Sequence, residues 1–198
     1  MIRRDGRQTL DPDFIVTAYC DAYFPMADSR TGAISWYSPD PRAIIPLDGF
    51  KVSRGLQHVM RKRVFENKID TSFHEVICGC AQREETWISE ELIRAYTMLH
   101  VKGIAHSVES WQDGRLVGGL YGLAIGGSFF GESMFSAVSN ASNVALVHLV
   151  NVLRLRGFDL LDTQFMNTHI KQFGAIEIPR TVYISKLSYA LTVDAKFP

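Results

Sequence analysis

Three consecutive strands in the middle of the chain constrain its fold more than any other feature. Two turn signals, Asp113-Gly114 and Gly126-Gly127, interrupt a largely apolar stretch. They separate three predicted strands: Ala105–Trp111, Arg115–Ile125 and Ser128–Phe135. An Asp-Gly pair between two such runs is typical of a type I′ hairpin, which joins antiparallel strands through two residues. The chain therefore contains an antiparallel meander, and its apolar faces need helices packed against them.

Outside the meander, capping residues and apolar periodicity predict further helices and strands. In chain order these are the helices Phe73–Ala81, Glu90–Val101 and Asn140–Arg156, the strand Phe158–Thr163, the helix Thr168–Phe173 and a closing strand Thr181–Leu187. This order of elements is that of N-acetyltransferase-like (GNAT) domains. We therefore expect an α/β (α+β) fold with a GNAT-like mixed sheet flanked by helices. The order of elements does not by itself specify the reaction.

The first 50 residues differ in pattern from the rest. Asp11-Pro12 places a capping carboxylate before a proline, and an apolar face at helical spacing follows through Tyr19. Prolines and glycines between residues 24 and 50 then predict loop, with one short strand near Ile34–Tyr37. We expect a small N-terminal helical and loop segment over residues 1–50 and a GNAT-like catalytic domain over residues 51–198.

Composition narrows the class of protein. Of 198 residues, 46% are hydrophobic and 21% are charged, which excludes a disordered chain. The 21 lysines and arginines balance the 21 aspartates and glutamates, so a uniformly basic nucleic-acid coat is also excluded. Three cysteines are too few for a disulfide framework, residues 1–7 precede no apolar signal-peptide core, and no apolar run reaches the ~20 residues of a membrane helix. We expect a cytoplasmic protein that does not enter a membrane.

One local excess of positive charge interrupts this balance. Ser53 is a capping residue for a short basic helix that extends to Arg63. The positive side chains are Lys51, Arg54, Arg61, Lys62, Arg63 and Lys68, against the single acid Glu66. Such a run is most often a solvated helix face, and it is also suited to contact with nucleic-acid phosphates.

Polar side chains in two apolar strands are the strongest candidates for chemistry. Glu132 lies in an otherwise apolar strand, where an isolated charge is expensive to bury, so it is either functional or paired with an arginine. In the strand at Leu160–Phe165, alternation places Asp162 and Gln164 on one face. We expect Asp162 to accept a hydrogen bond from the Gln164 side-chain amide, which leaves the Gln164 oxygen to bind an amine. The alternative is a strand end with solvated polar residues.

Other reactive residue types give weaker signals. Cys78 and Cys80 lack the second ligand pair of a zinc site, so we expect buried helix cysteines and no metal. The six histidines are scattered, with His106 and His169 nearest to the candidate strands. Ser133 lacks the glycine two residues later that a nucleophile elbow requires. An apolar stripe along the long helix is by itself more often core than pocket; it comprises Leu146, Leu149, Val150 and Leu153.

Short motifs between about residues 14 and 185 occur in the order found in one family. The motifs are Trp36–Ala43, Glu85–Ile88, Gly103–Glu109, Leu116–Gly122, Gly131–Ser136, Asn140–Ser142, Asp162–Gln164 with Asn167 and His169, and Gly174–Arg180. Through them the chain resembles the bacterial leucyl/phenylalanyl-tRNA–protein transferases. The resemblance implies an enzyme that moves Leu, Phe or Met from charged tRNA to the N-terminal Arg or Lys of acceptor proteins, which marks them for N-end-rule degradation. We expect no cofactor and a monomeric protein.

The same resemblance implies a role for individual residues. Asp162 and Gln164 match the family's catalytic pair, Glu132 matches its strand glutamate, and Trp87 matches the tryptophan that helps to hold the 3′-terminal adenosine. The pocket for the amino-acid side chain matches Leu120, Met134, Leu146, Leu149, Leu153 and Leu161. Met26 stands in place of a second aromatic residue around the adenosine, and Ala137 stands where an arginine is expected. The basic residues Lys51, Arg54, Arg61, Lys62 and Arg63 are then expected to contact tRNA phosphates.

The implied reaction is aminolysis of an activated ester, which needs positioning, a neutral amine and charge stabilisation rather than a covalent intermediate. Two other functions compete with it. An acyl-CoA-dependent N-acetyltransferase of the same fold would bind pyrophosphate on a glycine-rich loop, whereas Ala137–Ser142 contains neither glycine nor a cation. A non-enzymatic tRNA-binding module would need the basic residues but no polar side chains inside apolar strands.

Overall fold

The computed structural model describes residues 10–83 and 85–198. The helices are α1 (Pro12–Cys20), α2 (Arg54–Arg61), α3 (Phe73–Ala81), α4 (Glu90–Val101), α5 (Ala141–Leu155), α6 (Thr168–Lys171) and α7 (Arg180–Ala190). The strands are β1 (Phe24–Ala27), β2 (Ile34–Tyr37), β3 (Arg42–Ile44), β4 (Glu66–Ile69), β5 (Ala105–Gln112), β6 (Arg115–Ile125), β7 (Ser128–Ser136), β8 (Leu160–Gln164) and β9 (Ile176–Ile178). The prediction about a signal peptide in residues 1–7 falls outside the described residues.

A seven-stranded mixed sheet in the order β4-β5-β6-β7-β8-β3-β9 forms the centre of the molecule, and β1 and β2 form a separate antiparallel pair. Strands β7 and β8 are parallel, whereas the other neighbours in the large sheet are antiparallel. One apolar cluster joins α1, α3, α4 and α7 to the sheet, and a second joins α5 and α2 to it. The predicted mixed α/β fold with flanking helices is therefore confirmed.

The predicted meander is present as β5, β6 and β7. Asp113 and Gly114 both have positive φ angles, 50° and 74°, as the two central residues of a type I′ turn require. Predicted N-caps are also present: the side chains of Asp11, Ser53 and Ser89 accept hydrogen bonds from backbone amides in the first turns of α1, α2 and α4. None of the helices in the described part of the chain is long and apolar enough to cross a membrane.

The parallel pair β7 and β8 separates part of the way along its length. The two strands pair from Ser128 and Leu160 as far as Phe130 and Asp162. Beyond that point β7 continues beside β6, and β8 continues beside β3. Two parallel neighbours that diverge leave a gap in the sheet, and this gap positions the candidate site.

The segment predicted as loop between residues 24 and 50 contains a strand of the large sheet. Strand β3 lies between β8 and β9, and all three of its residues are buried. The flanking prolines Pro41 and Pro46 favour a loop assignment, and a charged residue, Arg42, heads the strand. Burial of that charge depends on a partner far away in sequence, which periodicity does not reveal. The division into 1–50 and 51–198 stays a prediction.

The predicted closing strand Thr181–Leu187 is wrong, because this segment is part of helix α7. Its β-branched and aromatic residues favour a strand on propensity alone. Its buried residues, however, are Tyr183, Leu187 and Ala190, a spacing of four and three that places them on one helix face. The edge of the sheet is instead formed by β9, which pairs with β3.

Candidate functional site

A cavity of about 820 Å³ opens where β7 and β8 diverge. Residues of β6, β7, β8 and α5 line it, together with the start of α6 and residues from the segment between α3 and α4. A cavity of this size holds a drug-sized organic group. The divergence of two parallel strands therefore creates a binding site inside the sheet.

The wall of the cavity is largely apolar, and it includes most of the residues that the resemblance implies for the side-chain pocket. Five of the predicted residues line it: Leu120, Met134, Leu146, Leu149 and Leu161. Leu153, the sixth, is fully buried in the apolar cluster beneath α5 and is not among the lining residues. Ile45, which follows β3, lines the wall as well. The wall suits an aliphatic or aromatic side chain.

Glu132 enters this wall at an irregularity in β7. Tyr121 pairs with Ser133 and Gly122 pairs with Gly131, so Glu132 is the extra residue of a β-bulge. Bulges redirect side chains and are common beside active sites. The sequence predicts a charge in this strand but not the bulge, because the bulge is defined by pairing with β6.

The Glu132 carboxylate is surrounded by phenols. Tyr19 donates to its Oε1 at 2.6 Å, Tyr96 donates to its Oε2 at 3.2 Å, and the two phenolic oxygens lie 2.6 Å apart. Burial raises the pKa of the Glu132 carboxyl from its ordinary 4.5 to about 7, against the lowering effect of these hydrogen bonds. The charge of Asp162 adds to the rise in pKa. A carboxyl with a pKa near 7 is suited to exchange protons at neutral pH.

Gln164 connects to Glu132 rather than to Asp162 through its side chain. Its Nε2 donates to Glu132 Oε1 at 3.2 Å. Asp162 Oδ1 accepts instead from the backbone amide of Gln164, at 3.0 Å. The predicted contact between Asp162 and the Gln164 side-chain amide is therefore wrong. Gln164 is a lining residue of the cavity. Because its Nε2 donates to the Glu132 carboxylate, its side-chain oxygen is the acceptor atom that it offers to a ligand.

Asp162 itself lies beneath the cavity rather than in its wall. It has no exposed surface, and it forms a salt bridge with Arg42, whose Nη2 lies 2.6 Å from Oδ2. Arg42 Nε donates to Oδ1 at 3.0 Å, and the Tyr183 hydroxyl donates to Oδ2 at 2.8 Å. The sequence suggests an arginine as a possible partner of Glu132, whereas the structure pairs the buried arginine with Asp162.

The lining residues of the cavity also include the residue predicted to hold the adenosine. Trp87 lines it, and its backbone oxygen accepts a hydrogen bond from Ala27 at the end of β1. Met26, Phe24 and Ala137 also line the cavity. The predicted adenosine residue and both departures from the family pattern therefore line the same cavity.

The predicted basic residues lie outside the cavity. Lys51, Arg54, Arg61, Lys62 and Arg63 are all exposed, on or beside α2, and none is a lining residue. The Lys51 backbone amide donates to Phe173, just after α6, and the first residues of α6 line the cavity. We call these five residues the basic patch. Of these five residues, Lys51 is thus connected through its backbone to the segment that follows α6.

Sequence reasoning missed four residues of the site: Tyr19, Arg42, Tyr96 and Tyr183. The sequence places Tyr19 on an apolar helix face and Arg42 within a family motif. Neither pattern indicates a role in the site. Their roles depend on contacts across 113 and 120 residues of chain. An acidic residue in an apolar strand indicates that a buried partner exists. It does not indicate which residue is that partner.

The candidate histidines and cysteines of the sequence have the following positions in the structure. His169 lines the cavity, whereas His106 is bonded through Nδ1 to Asp70 Oδ2 at 2.7 Å and is not a lining residue. Cys80 is buried on α3 and Cys78 is half-buried there, and neither is in a disulfide. Within residues 10–83 and 85–198, no group of three or more potential ligands is arranged to hold a metal ion.

Comparisons with known proteins agree along nearly the whole chain. A family model described as leucyl/phenylalanyl-tRNA protein transferase matches residues 44–188, and a model of that protein's N-terminal domain matches residues 8–40. The leucyl/phenylalanyl-tRNA–protein transferase of Gloeobacter violaceus is 53% identical over 189 residues, which cover 96% of this chain and 98% of that protein. The protein of the same name from Salinibacter ruber is 52% identical, over 93% of this chain and 82% of that protein. The one from Herpetosiphon aurantiacus is 52% identical, over 95% of this chain and 98% of that protein.

Proposed function

This chain belongs to the leucyl/phenylalanyl-tRNA protein transferase family, and from that membership we propose how its cavity carries out the transfer. The protein is an aminoacyltransferase that moves an amino acid from tRNA to the N terminus of a protein. The observation that carries the proposed mechanism is the hydrogen-bonded pair of Glu132 and Gln164 in the wall of an otherwise apolar cavity. The apolar wall takes the amino-acid side chain, and the polar pair takes the amine.

The terminal adenosine of the donor and its amino-acid side chain both occupy the cavity. Trp87 stacks on the terminal adenosine, a contact worth ~1–3 kcal/mol for an aromatic ring on a base. The leucine-rich wall receives Leu, Phe or Met, because these side chains are apolar and of similar length. The basic patch contacts phosphates of the tRNA body, since its five positive side chains are exposed and lie outside the cavity.

The acceptor amine binds beside the hydrogen-bonded pair of Gln164 and Glu132. The Gln164 side-chain oxygen accepts a hydrogen bond from the amine, and the amine nitrogen attacks the ester carbonyl carbon. The bond from that carbon to the ribose oxygen breaks as the amide bond forms. Glu132 takes the proton that the nitrogen loses and passes it to the departing ribose oxygen, so the carboxylate is regenerated. A pKa of about 7 suits both steps.

The charge of the site favours cationic acceptors. Glu132 is the single carboxylate among the described residues that line the cavity, and Arg83, the one arginine that lines it, is held by the backbone oxygen of Met134. A negative group at the end of an apolar cavity attracts an acceptor with a positive side chain, so we propose N-terminal Arg or Lys as the acceptor. Proteins so modified would be directed to N-end-rule degradation. We further propose that the enzyme acts as a monomer in the cytoplasm, where charged tRNA is available.

The start of α5 argues against acyl-CoA as donor. A pyrophosphate at a helix N-terminus needs free backbone amides there. The Ser142 amide in the first turn of α5 already donates to the Ser136 hydroxyl at 3.0 Å, and residues 137–141 contain no glycine. The tRNA ester therefore remains the better supported donor.

One assay tests the proposal. Purified protein is given radiolabelled Phe-tRNA, Leu-tRNA or Met-tRNA, or acetyl-CoA, with peptides that begin with Arg, Lys, Ala or Glu. We expect labelled product from the aminoacyl-tRNAs and with the Arg and Lys peptides. Transfer from acetyl-CoA, or equal transfer to all four peptides, would contradict the proposed substrates. Glu132→Gln should reduce turnover by roughly 10²–10⁴-fold, whereas the exposed Glu177→Gln serves as the matched control.

A further inference from the structure

We infer that Arg42 and Tyr183 are positioning residues for the transfer: together with Asp162 they hold the Gln164 backbone in the conformation that directs its side chain to Glu132. The inference rests on the proposed function, because it concerns how Gln164 is held for the acceptor amine. Neither residue lines the cavity. Each acts through the buried Asp162 carboxylate.

The backbone of Gln164 is in an uncommon conformation. Its φ angle is 58°, in the left-handed region that residues other than glycine rarely adopt. Strand β8 has an irregular register at this point, since Ala43 pairs with Gln164 but Ile44 pairs with Asp162. A strained backbone persists at a functional site only where the surrounding structure enforces it. The enforcing contact is the hydrogen bond from the Gln164 amide to Asp162 Oδ1 at 3.0 Å.

The hydrogen-bonding capacity of Asp162 is fully used inside the protein. Its Oδ1 accepts from Arg42 Nε and from the Gln164 amide, and its Oδ2 accepts from Arg42 Nη2 and from the Tyr183 hydroxyl. An ionised carboxylate offers about four acceptor positions. Asp162 has no exposed surface and is not a cavity residue. It therefore has no position left for substrate, and it influences the reaction through Gln164.

Arg42 is fixed from several directions, which makes it a rigid support. Its guanidinium lies 4.7 Å from the centre of the Phe24 ring and 4.6 Å from the centre of the Tyr183 ring. Only 1% of its surface is exposed. Because a guanidinium is a planar fork, it orients both carboxylate oxygens at once, which a lysine ammonium cannot do. Arg42 of β3 and Tyr183 of α7 thus both contact Asp162, which in turn accepts a hydrogen bond from the last residue of β8.

The Tyr183 hydroxyl offers the cleaner test, because Tyr183→Phe keeps the ring that packs on Arg42 and removes one hydrogen bond. The measurements are kcat and KM for a Phe-adenosine ester donor with an Arg-initiated peptide. We expect kcat to fall roughly tenfold, the size of one hydrogen bond to a charged group, with KM for the donor unchanged because the cavity wall is intact. Tyr189→Phe, on the same helix but exposed, is the matched control and should behave as wild type.

The decisive step repeats the substitution in a Gln164→Ala background. If Tyr183 acts through Gln164, Tyr183→Phe should cost almost nothing further once the Gln164 side chain is absent. A general structural role would lower kcat by the same factor in both backgrounds, and that result would overturn the inference. So would a wild-type kcat for Tyr183→Phe, or a loss confined to KM.

A second variant examines the arginine. Arg42→Lys keeps the charge but not the fork, and we expect a loss in kcat of roughly a hundredfold, again absent in the Gln164→Ala background. Circular dichroism and thermal unfolding show whether this variant folds; if it does not, Tyr183→Phe alone decides. Wild-type protein that fails to transfer Phe at all would contradict the proposed function, whereas an active wild type with an unaffected Tyr183→Phe contradicts only this inference.

Discussion

The raised pKa of Glu132 makes a specific prediction for the pH dependence of transfer. Two groups must lose a proton before reaction: the Glu132 carboxyl, with a pKa of about 7, and the acceptor α-amine, with an ordinary pKa of ~7.7–8.0. Below pH 7 the logarithm of kcat/KM for the acceptor should therefore rise with a slope of about two per pH unit. At pH 6 about one tenth of Glu132 and only ~1–2% of the amine are in the reactive form.

Glu132→Gln removes one of these two ionisations. The variant retains a polar side chain of the same size, so we expect the slope below pH 7 to fall to about one, at a much lower rate. The donor should be an aminoacyl-adenosine ester used between pH 5.5 and 7, so that tRNA binding does not contribute its own pH dependence. Quenched time points analysed by chromatography give initial rates at acceptor concentrations well below KM.

Two results would refute this reasoning. An unchanged slope of two in Glu132→Gln would show that a different group titrates, and a slope of one in the wild type would show that Glu132 does not need to be ionised. The control Glu177→Gln changes an exposed carboxyl on β9 and should keep the wild-type profile. A shift of the break point toward the ordinary glutamate pKa of 4.5 would show that Glu132 is hydrated before the acceptor binds, because kcat/KM for the acceptor reports that state.

Three further outcomes are expected. The pKa of Glu132 is about 7 in the folded protein and 4.5 in the unfolded chain, so the folded protein binds the proton more tightly. Ionisation of Glu132 therefore lowers the free energy of unfolding progressively as pH rises from 4.5 to 7. Thermal unfolding should show Glu132→Gln stabilised by up to ~3 kcal/mol at pH 8 and little changed at pH 4.5. Alanine at residues 61–63 should weaken tRNA binding and flatten its salt dependence, measured by filter binding, while transfer from the adenosine ester stays constant. In the pocket, Leu146→Phe should reject Phe before Leu and Met134→Ala should relax the preference, each by ~1–3 kcal/mol in the ratio of kcat/KM values; an unchanged ratio in both would place the side-chain pocket elsewhere.

Local signals predicted most of the elements. The Asp113-Gly114 turn and the helix caps at Asp11, Ser53 and Ser89 depend on residues within one turn or hairpin of each other, and all are present. The four residues of the apolar stripe predicted on α5 are all buried, although five further residues of that helix are buried as well. These features are encoded within a few neighbouring residues, so they can be read without knowledge of the rest of the chain.

The resemblance located the candidate site, but the structure changed how its parts connect. Sequence alternation put Asp162 and Gln164 on one face and predicted a side-chain contact between them. The structure instead joins the Gln164 side chain to Glu132 and its backbone to Asp162. A bulge in β7 places Glu132 in the wall. Register shifts of one residue are decided by the neighbouring strand, which no periodicity within a strand reports.

The chain by itself determined the meander, the capped helices, five apolar residues that line the cavity and the family to which it belongs. Tertiary structure decided that Arg42 lies in a central strand, that Thr181–Leu187 is helical, and that a carboxyl at position 132 has a pKa near 7. These outcomes depend on contacts between residues about 20 to 120 positions apart. Tyr183 and Arg42 contact Asp162, and Tyr19 contacts Glu132. The cost of burying a charge and the packing of a helix face depend on what surrounds them, and those surroundings exist only after the chain has folded.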